Sequence, residues 1–162
     1  MSSRITKYLE KGQITTIVET EIPRYMNFFE NSYKENLDHA NFVLNNFPRW
    51  SIISGYYAMH DITKLFLAGQ FRIKIEFKVH ETTIDVLKEL TKDKEILKLL
   101  KTGYSEFIAI ANDLAKAKKE RIKAQYYTGS DFSKEKYKER ANSFLKNVVN
   151  QFIEKITRMM KK

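Results

Sequence analysis

Apolar residues recur at helical spacing through most of this chain. Met26, Phe29, Tyr33, Leu37, Ala40, Leu44 and Phe47 follow one another at steps of three and four. That spacing lines one face of an amphipathic helix of about six turns. Pro23 suits its first turn, because proline lacks an N–H that nothing there would accept. Pro48 is predicted to end it. A second helix is predicted from Trp50 to Ala68, capped by Gly69. A third opens near Glu81 and runs to about Leu90, with a short turn of helix at 94–101. Gly103 is predicted to break the pattern. A fourth helix runs from Tyr104 to Tyr127, with Phe107, Ala111, Leu114 and Ile122 facing inward. Thr128-Gly129-Ser130-Asp131 reads as a turn. A fifth helix, Lys134 to Met160, carries Tyr137, Ala141, Phe144, Val148, Phe152, Ile156 and Met159.

Two stretches depart from this pattern. Residues 1–22 are weakly patterned, and Thr15-Thr16-Ile17-Val18 favours an extended segment. Phe71-Arg72-Ile73-Lys74-Ile75-Glu76-Phe77-Lys78-Val79 alternates apolar and charged residues, the pattern of a half-buried strand. A lone strand leaves a row of unpaired backbone groups, so it needs a mate. The candidates are the 13–18 segment, a second copy of the chain, or another protein. The plainer alternative is an extended loop lying over the helices.

The second helix has an unusually wide apolar face. At 100° per residue, Ile52, Gly55, Tyr56, Ala58, Met59, Ile62, Leu65, Phe66 and Leu67 cover an arc of roughly 200°. Such a helix belongs at the centre of its fold, and Gly55 and Ala58 permit a neighbour's close approach. The remaining arc holds Ser54, Tyr57, His60, Asp61 and Lys64. It is predicted to form a thin polar stripe at the mouth of a crevice or at an interface, where a phosphate or a base edge would bind. The plainer reading makes His60 a boundary histidine and Tyr57 a lid on the core.

Composition sets the class. At 162 residues, 43% hydrophobic and 30% charged, the chain is most simply one soluble globular domain over 1–162. With five glycines and two prolines, a turn-rich sandwich or barrel is disfavoured and long helices are favoured. Cysteine is absent, which excludes disulfides, thiolate metal sites and thiol catalysis. No segment reads as a signal peptide or membrane span, so a cytoplasmic location is expected. The formal net charge of +9 is compatible with nucleic acid, an acidic protein partner, or a lysine-rich solvated surface.

Charge concentrates in the fourth predicted helix. Lys116, Lys119 and Lys123 form one stripe, with Lys118 and Arg121 beside it and Glu120 as the opposing charge. Such a field suits phosphates, and Tyr126 and Tyr127 would stack on a base. Contacts of this kind hold the backbone without reading sequence. A solvated helix face is the plainer reading.

Ser54-Gly55-Tyr56-Tyr57-Ala58-Met59-His60-Asp61, Lys64-Leu65-Phe66-Leu67 and His80-Glu81-Thr82-Thr83-Ile84 resemble the small prokaryotic HEPN proteins. So do Arg121-Ile122-Lys123-Ala124-Gln125-Tyr126 and the following helix with Ala141 and Phe144, so the resemblance covers about residues 26–158. It implies an antiparallel bundle of four or five helices, often homodimeric. It also implies nucleotide or RNA binding and, in many members, metal-independent ribonuclease action. Many members act in toxin–antitoxin systems beside a small nucleotidyltransferase.

One departure bears on catalysis. Nuclease members place an arginine about four to six residues before a histidine, so that the cation stabilises charge while the imidazole moves a proton. Here Arg49 precedes His60 by eleven residues, Arg72 precedes His80 by eight, and Ser54 stands where relatives often carry arginine. Lys74 lies six residues before His80, but an ammonium does not replace a bidentate guanidinium. Binding without catalysis is therefore expected, with His60 and His80 the residues to test for a ribonuclease. The expected binding residues are Tyr57, His60, Lys64, His80, Lys116, Lys119, Arg121 and Lys123. No metal or cofactor is expected, because His39, His60 and His80 are the only histidines and no pair has zincin spacing. The rival readings are a metal-independent ribonuclease and an interaction module for an acidic partner.

Overall fold

A computed structural model describes residues 3–124 and 134–161; the side chains of residues 114, 116–124 and 134 lie outside the description. The chain is mostly helical, with one small two-stranded ribbon. Helix α1 (Ser3–Glu10) leads into strand β1 (Ile14–Thr16), and a 3-10 turn (Glu19–Glu21) leads into α2 (Ile22–Val43). Helix α3 (Pro48–Phe71) is followed by β2 (Ile73–Ile75), α4 (Val79–Leu90) and α5 (Lys94–Ala124). Helices α6 (Lys134–Phe144) and α7 (Asn150–Met160) are joined by a π-helical turn (Leu145–Val149) into one rod.

Helix α3 is the hub, as its wide apolar arc predicts. It packs against α2, α4, α5, α6 and α7. Ile52, Tyr56, Ala58, Met59, Ile62 and Leu67 are fully buried along it. Gly55 makes the close approach possible. A Cβ there would lie 2.9 Å from Leu145 Cδ2, 3.1 Å from Val149 Cγ2 and 3.3 Å from Phe144 Cε1. The π turn and the end of α6 therefore press directly on the α3 backbone.

Several boundaries differ from the sequence reading. Helix α2 stops at Val43, and Pro48 opens α3 rather than closing α2. A proline without an N–H starts a helix as readily as it ends one. Gly69 does not cap α3, which continues to Phe71 and ends at Arg72 in the left-handed conformation (φ 54°). Gly103 does not interrupt α5, which runs unbroken from Lys94. It is a packing point instead, because a Cβ at 103 would meet Met59 Sδ at 2.8 Å. On α5, Phe107 packs inward as predicted, but Ala111 is exposed and Ile110 is buried instead. Helix α1 escaped the pattern because Ile5 is its one buried residue.

The 71–79 alternation yields a strand of three residues, because α3 takes Phe71 and α4 takes Val79. Its mate is the N-terminal segment of the same chain. The pairing is antiparallel, with Ile14 opposite Ile75, Thr15 opposite Lys74 and Thr16 opposite Ile73. Ile14, Ile73 and Ile75 face the core, while Lys74 lies 3.0 Å from Glu76 on the outer side. The ribbon sets the path into α4, whose start carries His80.

Candidate functional site

The polar arc of α3 is not the open stripe that its spacing predicts. Ser54, His60 and Asp61 are 7%, 2% and 7% exposed. For Ser54 and Asp61, helix α2 supplies the reason, because its own polar side chains lie opposite. Ser32 and Asn36 donate to Asp61 Oδ2 at 2.6 and 3.1 Å, and His39 Nδ1 lies 2.7 Å from Ser54 Oγ. Every buried side-chain polar atom described has a hydrogen-bond partner. The seam is a satisfied network, which specifies how α2 and α3 align.

His60 is walled in. Its Nε2 lies 3.3 Å from Thr83 Oγ1 and 3.5 Å from the Val79 carbonyl, and its Nδ1 lies 3.7 Å from Asp61 Oδ1. Lys64 is half-buried, with its ammonium 4.9 Å from the Phe29 ring centroid. Burial holds Lys64 below the usual lysine range, against the pull of Asp61.

A ring cluster lies beside this seam, between α3, the start of α4 and α5. His80 is its centre. The His80 ring is 4.8 Å from the His60 ring, 5.8 Å from Tyr104 in a stacked arrangement, and 5.5 Å from Phe107. Tyr57 meets His80 edge-on at 6.0 Å, and Tyr56 stacks on Phe107 at 4.8 Å. Burial, reinforced by the neighbouring His60 and Lys64, pushes the His80 pKa down to about 4. The ring is therefore neutral at pH 7. Its Nδ1 lies 2.8 Å from the Tyr56 hydroxyl, whose own pKa burial drives far upward.

Tyr56 and His60 are enclosed, whereas Tyr57, His80, Tyr104 and Phe107 are half-buried. These four rings present a partly open aromatic shelf. Flat apolar faces with one imidazole N–H suit stacking against a planar ring such as a nucleobase. A base of such low pKa is a weak proton acceptor at neutral pH.

The structure thus brings Tyr57, His60, Lys64 and His80 into one neighbourhood. The side chains of Lys116, Lys119, Arg121 and Lys123 lie outside the described residues, although α5 continues through Ala124. Tyr126, Tyr127 and the turn at 128–131 also lie outside them. Tyr104 and Phe107 were missed as shelf residues by the sequence reading. Their three-residue spacing on a helix was the available signal, but nothing local paired them with His80. Among the described residues, no group of three or more histidine, cysteine, aspartate or glutamate residues is arranged to hold a metal ion. Among them, too, no helix is long and apolar enough to cross a membrane. In comparisons with known proteins, no family model, curated protein or solved structure matches the chain.

Proposed function

We propose that this protein is a HEPN-like nucleotide- or RNA-binding protein without catalytic turnover. The observation that carries the reading is the half-buried shelf of Tyr57, His80, Tyr104 and Phe107. It offers stacking faces to a base, with the lysines of α5 supplying charge for phosphate. The enclosure of His60 and the low pKa of His80 favour binding over proton transfer. The absence of an arginine one helical turn before either histidine favours it as well. In this reading His60 positions His80 and does not touch the ligand, whereas Tyr57 and His80 do.

A homodimer is part of the proposal, and so are a nucleotidyltransferase partner and a toxin–antitoxin role; the last two rest on the HEPN resemblance alone. Phe42, Phe47 and Trp50, exposed by 84%, 60% and 55% around the α2–α3 turn, are apolar surface of the kind that dimers cover.

The test is fluorescence anisotropy with labelled single-stranded RNA, run beside a gel assay for cleavage with EDTA and with magnesium. Binding with intact RNA is expected. Tyr104→Ala should weaken it about tenfold or more, the usual worth of one stacked base. Cleavage that disappears in His80→Ala would instead make the protein a ribonuclease. Absence of binding at low salt would leave a module for an acidic protein partner.

A further inference from the structure

The exposed side of α5 carries a feature that the ring cluster does not explain. An open depression of about 550 Å³ is lined by Lys94, Leu97, Lys98, Lys101, Thr102, Ser105 and Glu106. The three lysines fall within about 60° of one another around the helix. Ser105, Ile108 and Asn112 continue the same line, and all are exposed. From Lys94 to Asn112 this line runs ~27 Å and contains no carboxylate. Among the described residues, no ion pair joins Lys94, Lys98 or Lys101 to an acid.

The acids of the helix are sorted to one flank. Glu95, Glu106 and Asp113 lie roughly 100–120° round from Lys94, and the final rod engages each of them. Lys155 is 2.7 Å from Glu95, and Arg140 is 2.7 Å from Glu106 and 3.8 Å from Asp113. The Tyr137 hydroxyl donates to Asp113 at 3.0 Å. These three carboxylates are thereby engaged within the chain, and none of them pairs with the lysine line. On the other flank, roughly 80° round, stands Tyr104 of the aromatic shelf. Positions 116, 119 and 123, all lysine in the sequence, fall at the same helical phase, and position 123 lies ~44 Å along the helix from Lys94.

We infer that this face of α5 is a track for the sugar–phosphate backbone of single-stranded RNA, with bases turned toward the Tyr104 shelf. The inference rests on the RNA-binding reading above and deepens it, replacing a mononucleotide by a polymer. The helix from position 94 to position 123 spans about 13 phosphates at a stacked strand's 3.4 Å spacing, with a group of lysines at each end. A mononucleotide needs no such length. The isolated lysines give no sequence preference, because they hold backbone charge alone.

Anisotropy with labelled RNA of about 16 and about 4 nucleotides, titrated from about 0.05 to 0.3 M salt, tests the track. The longer RNA should bind with a log–log salt slope of about −4, the value for six single-strand contacts. The shorter RNA should show a flatter slope. Changing Lys94, Lys98 and Lys101 together to Gln should reduce the slope by about 2, with an unchanged thermal melt confirming the fold. If the wild type binds the long RNA but this variant keeps its slope, the track is wrong and the shelf alone binds. If short and long RNA bind with equal slope, the track is likewise wrong. If the wild type binds no RNA, the functional reading itself fails. If polyglutamate displaces the RNA as well as unlabelled RNA of equal length does, the face serves an acidic protein and the inference falls.

Discussion

Helices α3 and α5 each carry a polar stripe, and the two have opposite fates. The stripe of α3 is closed in part by α2, whose Ser32 and Asn36 both answer Asp61 and whose His39 answers Ser54. The lysine line of α5 borders an open depression, while Glu95, Glu106 and Asp113 of the same helix are taken up by Lys155 and Arg140. Polar spacing on one helix therefore shows where a second surface must be, but not whether that surface is protein or solvent. What decides is whether a neighbour presents matching donors and acceptors, since a buried polar group without them is costly.

This contrast gives a graded set of outcomes. The largest effect is expected in the closed stripe. Asp61→Ala strands the Ser32 and Asn36 donors and should cost about 2–4 kcal/mol in urea unfolding. A loss below about 0.5 kcal/mol would mean that the stripe is open to water after all. Next is the contact under α3. Gly55→Ala drives a methyl into Leu145, Val149 and Phe144 and should cost about 1–3 kcal/mol by the same measurement.

A smaller effect is expected from pH. The His80 pKa is about 4 in the folded chain, below its ordinary value near 6.5. The unfolded chain therefore binds the extra proton first on acidification. Stability is full above about pH 6.5 and falls as pH drops toward 4, where the folded ring also protonates. The half-buried ring is partly screened, so the loss should be about 1–2 kcal/mol across that window. Thermal melts at pH 7 and pH 4.5 should differ less in His80→Gln than in the native chain. The smallest stability effect belongs to the open line, where changing Lys94, Lys98 and Lys101 to Gln should stay within about 0.5 kcal/mol. A larger loss would show that these lysines are structural.

The same contrast explains what was legible in the sequence. The three- and four-residue spacing located α2, α3 and the final rod, and the breadth of the α3 arc identified the hub. Close approach at Gly55 was legible because a glycine between apolar neighbours on a helix has few other uses. Gly103 misled for a related reason, since its signature as a breaker is the same as its signature as a seat for Met59. The mate of β2 was one of three candidates until the Ile14–Ile75 register singled it out. The burial of His60 was not legible, because it depends on Thr83 and on the path of Val79 into α4, some twenty residues away. Tyr104 and Phe107 join His80 through the same long-range folding.

The π turn at Leu145–Val149 bears on how this chain can change in length. A π turn accommodates one residue more than the α turn in its place, while the helices on either side keep their orientation. Leu145 and Val149 grip the α3 backbone, whereas Lys146 and Asn147 between them point to solvent. Excision of Asn147 would leave a regular rod with Ala141 and Phe152 still directed inward. Here, uniquely along the final rod, the chain holds a spare residue that evolution or an engineer can remove without turning everything downstream.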